Sequence, residues 1–250
     1  MPYQYVTDKE NYSRLASGQV FYHLSGSPVF PVRLMSEVFQ LCQEIRRRDG
    51  ATAPCVLYDP CCGAACHLST LAFLHWREIG AILCSDIDSR VVAAAESNLS
   101  LLTLAGMDRR CAEIAAMRDL YGKASHTEAL VYAQELRAEL ESWLPLHAIP
   151  TRVFQADAFE AAELRKGVGE QPVDLIFADV PQGRCAQWQG ADTANPLAGL
   201  LESLRQIAGP ASLIAIASMK HERVEHAGLM RLKRLQLGKR MVTVLRQAGR

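Results

Sequence analysis

The sequence lacks the patterns that mark membrane and secreted proteins. No apolar run approaches the ~20 residues that a helix needs to cross a bilayer, and the start, Met1-Pro2-Tyr3-Gln4-Tyr5, lacks the basic and then apolar order of a signal peptide. We therefore expect a cytoplasmic protein without a membrane segment. A chain of 250 residues, 49% of them hydrophobic, can bury a large core in one domain.

The eight cysteines form no Cys-x-x-Cys pair, and two of them, Cys61 and Cys62, are adjacent. This spacing does not suit a zinc site or a disulfide framework. Cysteines among apolar neighbours behave as small hydrophobic residues, which predicts a core position for Cys42, Cys55, Cys84 and Cys111. No metal is expected.

Excess charge of either sign is also absent, since 27 Lys and Arg balance 27 Asp and Glu. The distribution is nevertheless uneven. Residues 220–250 carry nine Lys or Arg and two Glu, a net charge of +7, and the rest of the chain carries −7. A basic segment of this size could contact the phosphates of RNA or DNA, although a solvated charged surface is an equally good interpretation.

Acidic residues follow three of the predicted strands. Val56-Leu57-Tyr58 ends at Asp59, residues 81–85 end at Asp86, and residues 152–156 end at Asp157. In an open α/β sheet, ligands bind outside the carboxyl ends of the strands, where a carboxylate can accept hydrogen bonds from ribose hydroxyls. Asp86 fits that role best, and Asp88 is the second choice. The alternative is an α/β domain with ordinary polar loops.

The loop after the first strand lacks the Gly-x-Gly-x-x-Gly pattern that a dinucleotide pyrophosphate needs, because Gly63 is followed by Ala64 and Ala65. NAD is therefore a poor candidate, and S-adenosylmethionine, which has no phosphates, is a better one. Residues 64–76 are predicted to form a helix whose first amides can receive the carboxylate of its methionine part.

The order of elements predicts an α/β fold, a doubly wound, mostly parallel seven-stranded sheet of the Rossmann-like type with a C-terminal hairpin. We expect one domain over residues 1–250, with an N-terminal extension and helix at 1–48 and a helical insertion at 105–148. Ser89 is a candidate N-cap, and Ser125-His126-Thr127-Glu128 is a candidate capping box. A short basic helix is expected before the hairpin, whose turn is Gly238-Lys239.

A second motif, Asp179-Val180-Pro181-Gln182, follows the strand predicted at 173–178. It is similar to the Asp/Asn-Pro-Pro-Tyr/Phe loop of amino-group methyltransferases, in which polar atoms accept the target N–H and an aromatic ring stacks on the base. Gln182 occupies the ring position here. Trp188, six residues further on, is a candidate for the missing ring.

Nearly the whole chain resembles the avilamycin-resistance methyltransferase family, which modifies a guanine in large-subunit ribosomal RNA. The shared strings are Phe30-Pro31-Val32-Arg33-Leu34, Asp59-Pro60-Cys61-Cys62-Gly63, Ser85-Asp86-Ile87-Asp88, Tyr121-Gly122-Lys123 and Leu197-Ala198-Gly199-Leu200-Leu201. The resemblance implies a monomeric class I methyltransferase, S-adenosylmethionine as donor and ribosomal RNA as acceptor.

The resemblance also implies roles for particular residues. Asp59 would lie beside the amino-acid end of the cofactor, Asp86 would bind its ribose, Asp157 would accept from its adenine amino group, and Asp179 would position the acceptor nitrogen. The predicted cofactor-binding set is Asp59, Pro60, Cys61, Gly63, Ala65, Asp86, Ile87, Asp157 and Ala158. The predicted catalytic set is Asp179, Pro181, Gln182 and Trp188.

Two departures from the family fall in these motifs. The family's Gly-Ser-Gly is Gly63-Ala64-Ala65 here, and its Asp-Leu-Pro-Tyr ends in Gln182. A methyl group at Ala65 would hinder close approach of the cofactor or a positive φ. Two alternatives therefore stand beside an RNA methyltransferase: a small-molecule methyltransferase, and a catalytically silent module that binds S-adenosylmethionine or RNA.

Overall fold

A computed structural model describes residues 3–8, 10–16, 18–24, 30–180, 188 and 195–249. Within these ranges, seven strands form one sheet in the order β3-β2-β1-β4-β5-β7-β6. The first five strands are parallel, and β7 runs antiparallel to both β5 and β6. The strands are β1 (Cys55–Asp59), β2 (Ile79–Asp86), β3 (Thr151–Gln155), β4 (Leu175–Asp179), β5 (Leu213–Met219), β6 (Leu229–Leu237) and β7 (Arg240–Gln247).

Seven helices accompany this sheet in the described ranges, which confirms the predicted α/β fold. They are α1 (Val32–Arg48), α2 (Cys66–Leu74), α3 (Ser89–Ser100), α4 (Leu104–Tyr121), α5 (Ala124–Trp143), α6 (Ala161–Val168) and α7 (Pro196–Ile207). None of them is long and apolar enough to cross a membrane.

The core has two parts, one on each face of the sheet. Alternate residues of each strand point to opposite faces, so Leu57 and Phe177 pack with helices α1–α5, whereas Tyr58 and Ile176 pack with α6 and α7. Cys42, Cys55 and Cys84 are buried as predicted, and Cys111 is half-buried. The same alternation places Asp59, Asp86 and Asp179 on the α1–α5 face, at the carboxyl edge of the sheet.

A buried carboxylate fixes the N-terminal extension to α1. The Glu37 side chain is 2% exposed and accepts hydrogen bonds from the backbone amides of Gln4 (2.6 Å), Tyr5 (2.9 Å) and Val6 (2.9 Å). Because these contacts satisfy the charge inside the core, they order a segment whose described residues before α1 include only a short 3₁₀ turn, Ser13–Leu15. The extension thus packs against the part of the core that lies between the sheet and helices α1–α5.

Two predictions about helix starts were wrong. Residues 125–128 do not cap α5, because the helix already begins at Ala124 with Lys123 as its N-cap. For α3 the N-cap is Asp88, whose side chain accepts from the amide of Arg90 at 2.9 Å, so Ser89 is the first helical residue. A carboxylate one position earlier satisfies the same amides that a serine would.

Other boundaries also differ from the prediction. The helix expected at 64–76 covers only Cys66–Leu74, and a short 3₁₀ turn follows at Trp76–Glu78. The basic helix expected after β5 is absent, since residues 220–228 form turns and irregular backbone. The hairpin is present: the two-residue connection Gly238-Lys239 has φ +60° at the glycine, as a tight hairpin turn needs.

Candidate active site

The loop between β1 and α2 is organised by a buried carboxylate at the end of β1. Asp59 is 0% exposed, and its Oδ1 accepts from the amide of Cys61 at 2.8 Å. Its Oδ2 lies 2.6 Å from Nε2 of His67, in the first turn of α2. Asp59 therefore ties the loop to the helix, and the imidazole of His67 lies between Asp59 and solvent, with 11% of its side chain exposed.

Two residues of this loop have left-handed backbone conformations. Gly63 has φ +53°, and Ala65, the N-cap of α2, has φ 54° and ψ 20°. Ala65 is the one non-glycine residue with positive φ among the described residues, which confirms the concern raised by its sequence. Its side chain cannot cap the helix, and the N-terminus of a helix favours an anionic group.

A buried asparagine on α3 fixes the other side of the loop. Asn98 is 0% exposed, and its Nδ2 donates to the carbonyl of Ala64 at 2.8 Å and to that of Tyr22 at 2.9 Å. Its Oδ1 accepts from the amide of Tyr22 at 2.8 Å. The amide side chain thus joins the loop to the N-terminal extension through bonds that water cannot easily replace.

Asp86 contacts the same loop from the end of β2. Its Oδ2 accepts from the amide of Gly63 at 3.1 Å, and its Oδ1 accepts from the amide of Asp88 at 3.1 Å. A carboxylate oxygen can accept two hydrogen bonds, so ribose hydroxyls can still bind. Burial raises the pKa of Asp86, although these backbone bonds oppose the rise. The N-cap role and an ion pair with Arg90 at 2.7 Å occupy Asp88 instead.

The third acid lies in the β3–α6 loop. Asp157 accepts from the amide of Phe159 at 2.9 Å through Oδ1, so part of its role is to order the loop. Ala158 is half-buried, and the ring of Phe159 lies 5.5 Å from that of Trp188, tilted by 32°. Trp188 thus packs beside this loop. Its use as an aromatic platform for the acceptor base remains a prediction.

The acids at the strand ends act together on one thiol. Burial raises the pKa of Cys61 well above its ordinary value, and Asp59, Asp86, Asp157 and Asp179 raise it further. Cys61 is therefore a neutral thiol rather than a nucleophile. All four carboxylates influence this thiol, so the edge carries several acids, which favours a cationic ligand over a pyrophosphate.

Asp179, at the end of β4, pairs with an arginine that is distant in sequence. Nη1 of Arg240, the first residue of β7, lies 2.8 Å and 3.0 Å from the two carboxylate oxygens. The guanidinium carbon also lies 4.9 Å from the ring centre of Phe30, which packs edge-on against Phe177. Burial raises the pKa of Asp179, and Arg240 partly offsets the rise.

Two of the predicted catalytic residues, Pro181 and Gln182, lie outside the described residues. Pro60 and Ile87 lie in the described loops that follow β1 and β2, and the carbonyl of Ile87 accepts from Gln155 Nε2 at 2.9 Å. Within the described ranges, no group of three or more His, Cys, Asp or Glu residues is placed to hold a metal ion.

The residues at this edge fit S-adenosylmethionine. The uncapped first turn of α2 can receive its carboxylate, Asp86 can bind its ribose, and the converging carboxylates match the positive charge of its sulfonium. Strand order and site together define a class I methyltransferase with S-adenosylmethionine as the methyl donor.

Comparison with known proteins gives the family. The family model "RRNA methyltransferase AviRa" matches residues 1–240. The 23S rRNA (guanine(2535)-N(1))-methyltransferase of Streptomyces viridochromogenes is 33% identical over 246 residues, which are 98% of this chain and 96% of that protein. The chain belongs to the AviRa rRNA methyltransferase family, as its motifs predicted.

Solved structures agree with this assignment. Two structures of the rRNA methyltransferase AviRa from Streptomyces viridochromogenes, at 2.4 Å and 1.5 Å resolution, each have a TM-score of 0.86 against this chain. Their sequence identities are 32% and 30%, and each comparison covers 98% of this chain and 96% of the other. The shared fold thus extends over nearly the whole chain.

Three residues of the site were missed in the sequence. His67 belongs to the helix predicted at 64–76. It lies eight positions after Asp59, and the loop between them brings the two side chains into contact. Asn98 follows Ala95 by three positions on the buried face of α3. A polar residue on an apolar helix face indicates a buried hydrogen-bonding role, and this signal was available in the sequence. Arg240 lies 61 positions from Asp179, and no local pattern joins the two.

Proposed function

We propose that the chain transfers a methyl group to N1 of a guanine in large-subunit ribosomal RNA. The pairing of Asp179 with Arg240 at the carboxyl edge of the sheet carries this proposal, because it supports a role for Asp179 in binding the acceptor beside the predicted donor site. The relative from Streptomyces viridochromogenes, named for N1 of guanine 2535 of 23S rRNA, supports the choice of atom.

In this reaction, S-adenosylmethionine supplies the methyl group on its sulfonium. Asp86 holds the ribose of the donor, and the first turn of α2 holds its carboxylate. Asp179 accepts a hydrogen bond from an N–H of the base, and Arg240 keeps its carboxylate oriented. Most of the acceleration then comes from alignment of the two reactants, which needs no metal and no covalent intermediate.

The test is methylation of a large-subunit RNA transcript with isotope-labelled donor, followed by nuclease digestion and mass spectrometry of the nucleosides. N1-methylguanosine at one position is the expected product. Label in a small molecule rather than in RNA would instead favour a small-molecule methyltransferase. Donor binding measured by calorimetry, with no transfer to any RNA, would favour the silent module.

We also propose that the basic segment 220–250 contacts RNA phosphates. At the hairpin end, an open cavity of about 770 Å³ is lined by Lys220, Arg234, Gln236, Gly238 and Met241. The amide of Lys220 donates to the carbonyl of Lys239 at 3.0 Å, which fixes the cavity to the turn. Because β4 and β5 are parallel, this cavity lies at the same edge of the sheet as Asp179.

Neutralising two of these charges tests the proposal. The double variant Lys220→Gln/Arg234→Gln should bind RNA more weakly and lower the slope of log affinity against log salt by about 1 to 2. Arg90→Gln, which removes an exposed arginine from α3, is the control and should leave the slope unchanged. An unchanged slope in the double variant would place the phosphate contacts elsewhere.

Two further properties belong to this proposal. We expect a monomer, which light scattering of the purified protein would test. Action on ribosomal RNA is also consistent with a cytoplasmic location, which fractionation of the producing cells would test.

A further inference from the structure

The proposed reaction raises a chemical question that its named residues do not answer. N1 of guanine carries a proton at neutral pH, so its methylation requires that this proton be lost. Asp179 is a poor acceptor for it, because both of its carboxylate oxygens lie within 3.0 Å of Nη1 of Arg240. A second group at the same edge is needed as the base.

His67 has the required chemistry and position. Its Nε2 lies 2.6 Å from Oδ2 of Asp59, a carboxylate that is 0% exposed and accepts a further bond from the amide of Cys61. An acceptor-only carboxylate holds the proton on Nε2, so Nδ1 carries the lone pair. A carboxylate that orients an imidazole in this way also stabilises the imidazolium that forms when the ring takes a proton.

The imidazole is also close to the acceptor acid. The ring centre of His67 lies 6.2 Å from that of Phe177, a residue that shares one face of β4 with Asp179. Beside burial and Arg240, His67 and Asp59 are near enough to influence the pKa of Asp179. His67 therefore joins the buried end of the cofactor loop, through Asp59, to the strand whose end bears Asp179.

We propose that His67 is the general base that accepts the N1 proton of the acceptor guanine, an inference that rests on the proposed function. N1 forms its bond to the methyl carbon as the sulfur–carbon bond breaks, and the bonding electron pair returns to sulfur. The N1 proton moves to Nδ1 of His67, and Asp59 stabilises the resulting imidazolium. Proton and charge balance with no other reactant, and water receives the proton after product release.

The test compares His67→Gln with a matched control, His75→Gln. His75 is likewise half-buried, next to the other end of α2, and it also lies near a carboxylate, since its Nδ1 is 3.4 Å from Oε1 of Glu78. At saturating donor and RNA, near neutral pH, His67→Gln should lower kcat by about 100-fold or more. The dissociation constants of donor and RNA should change little, and the control should keep the wild-type rate.

The pH dependence separates a base from a structural residue. The deficit of His67→Gln should shrink as pH rises past the pKa of guanine N1, because the proton is then already lost. A deficit that is constant with pH, or a wild-type rate, would overturn the inference.

In the wild-type protein, the rate should follow the ionisation of the His67 ring as measured by NMR, which tests the inference even if the variant does not fold. A rate independent of that ionisation would contradict it. If wild-type protein makes no N1-methylguanosine, the proposed function itself fails. If it makes the product but His67→Gln keeps the wild-type profile, only the role of His67 fails.

Discussion

The donor and acceptor sides of the site are built in different ways. On the donor side, the ends of β1 and β2 are organised by short-range bonds: Asp59 to Cys61 and His67, and Asp86 to Gly63. On the acceptor side, Asp179 depends on Arg240, from a hairpin 61 residues later. The acids proposed to bind the donor are thus held by local bonds, whereas the acid proposed to bind the acceptor is coupled to the C-terminal hairpin.

The largest effects should separate the two sides. Asp179→Asn keeps the shape of the side chain but removes the charge that faces Arg240, so we expect methyl transfer to fall by about 100-fold or more while donor affinity changes little. Single-turnover rates and calorimetry measure these two quantities. A large loss of donor binding in this variant would show that the two sides are not independent.

The converse variant is Asp86→Ala. It removes the carboxylate predicted to bind the ribose, and we expect donor affinity to fall by about 10- to 100-fold, which corresponds to about 1.4 to 3 kcal/mol. RNA affinity should be unaffected. Asp88→Ala is the control, because it removes an N-cap: it should lower stability by about 1 kcal/mol and leave donor affinity unchanged. Equal donor affinities in the two variants would assign the ribose to another residue.

A smaller effect tests the coupling between Asp179 and Arg240. Burial raises the pKa of Asp179 and Arg240 lowers it, so Arg240→Met should raise that pKa further. Because the ionised carboxylate accepts a hydrogen bond from the base more strongly than the neutral acid does, the acidic limb that belongs to Asp179, as distinct from the ionisation of His67, should move to higher pH. Near neutral pH the rate should fall by about 10-fold, as expected for the loss of one hydrogen bond to a half-buried charged group.

The matched control is Arg231→Met, which removes an exposed arginine from the same hairpin. It should leave the position of the acidic limb unchanged. The same acidic limb in Arg240→Met and in the wild-type protein would mean that Arg240 only supports the hairpin and does not tune Asp179.

This contrast also explains what the sequence could reveal. The strand ends, the sheet and the donor-side acids were predictable because each depends on neighbouring residues and on the alternation of buried positions. The Asp179–Arg240 pair was not, since it depends on where β7 inserts into the sheet. The start of α5 was wrong for a related reason: Ser125-His126-Thr127-Glu128 satisfies a local capping pattern, but Gly122, with φ +60°, already ends α4 two residues before α5 begins.

The smallest effect concerns two positions of the cofactor loop that share one conformation. Gly63 and Ala65 have φ of +53° and 54°, so only Ala65 bears the cost of a side chain there, about 1 to 2 kcal/mol. Ala65→Gly relieves this strain. It also removes a buried methyl group and raises the conformational entropy of the unfolded chain, which favours unfolding by about 0.4 to 1 kcal/mol. We expect the free energy of unfolding to change by about 1 kcal/mol or less, with donor affinity a few-fold tighter.

Gly63→Ala introduces the same strain without a compensating contact, because no atom lies within 4 Å of its added Cβ, and it should destabilise the protein. Weaker donor binding in Ala65→Gly would mean that the methyl group orders the loop rather than obstructs the donor.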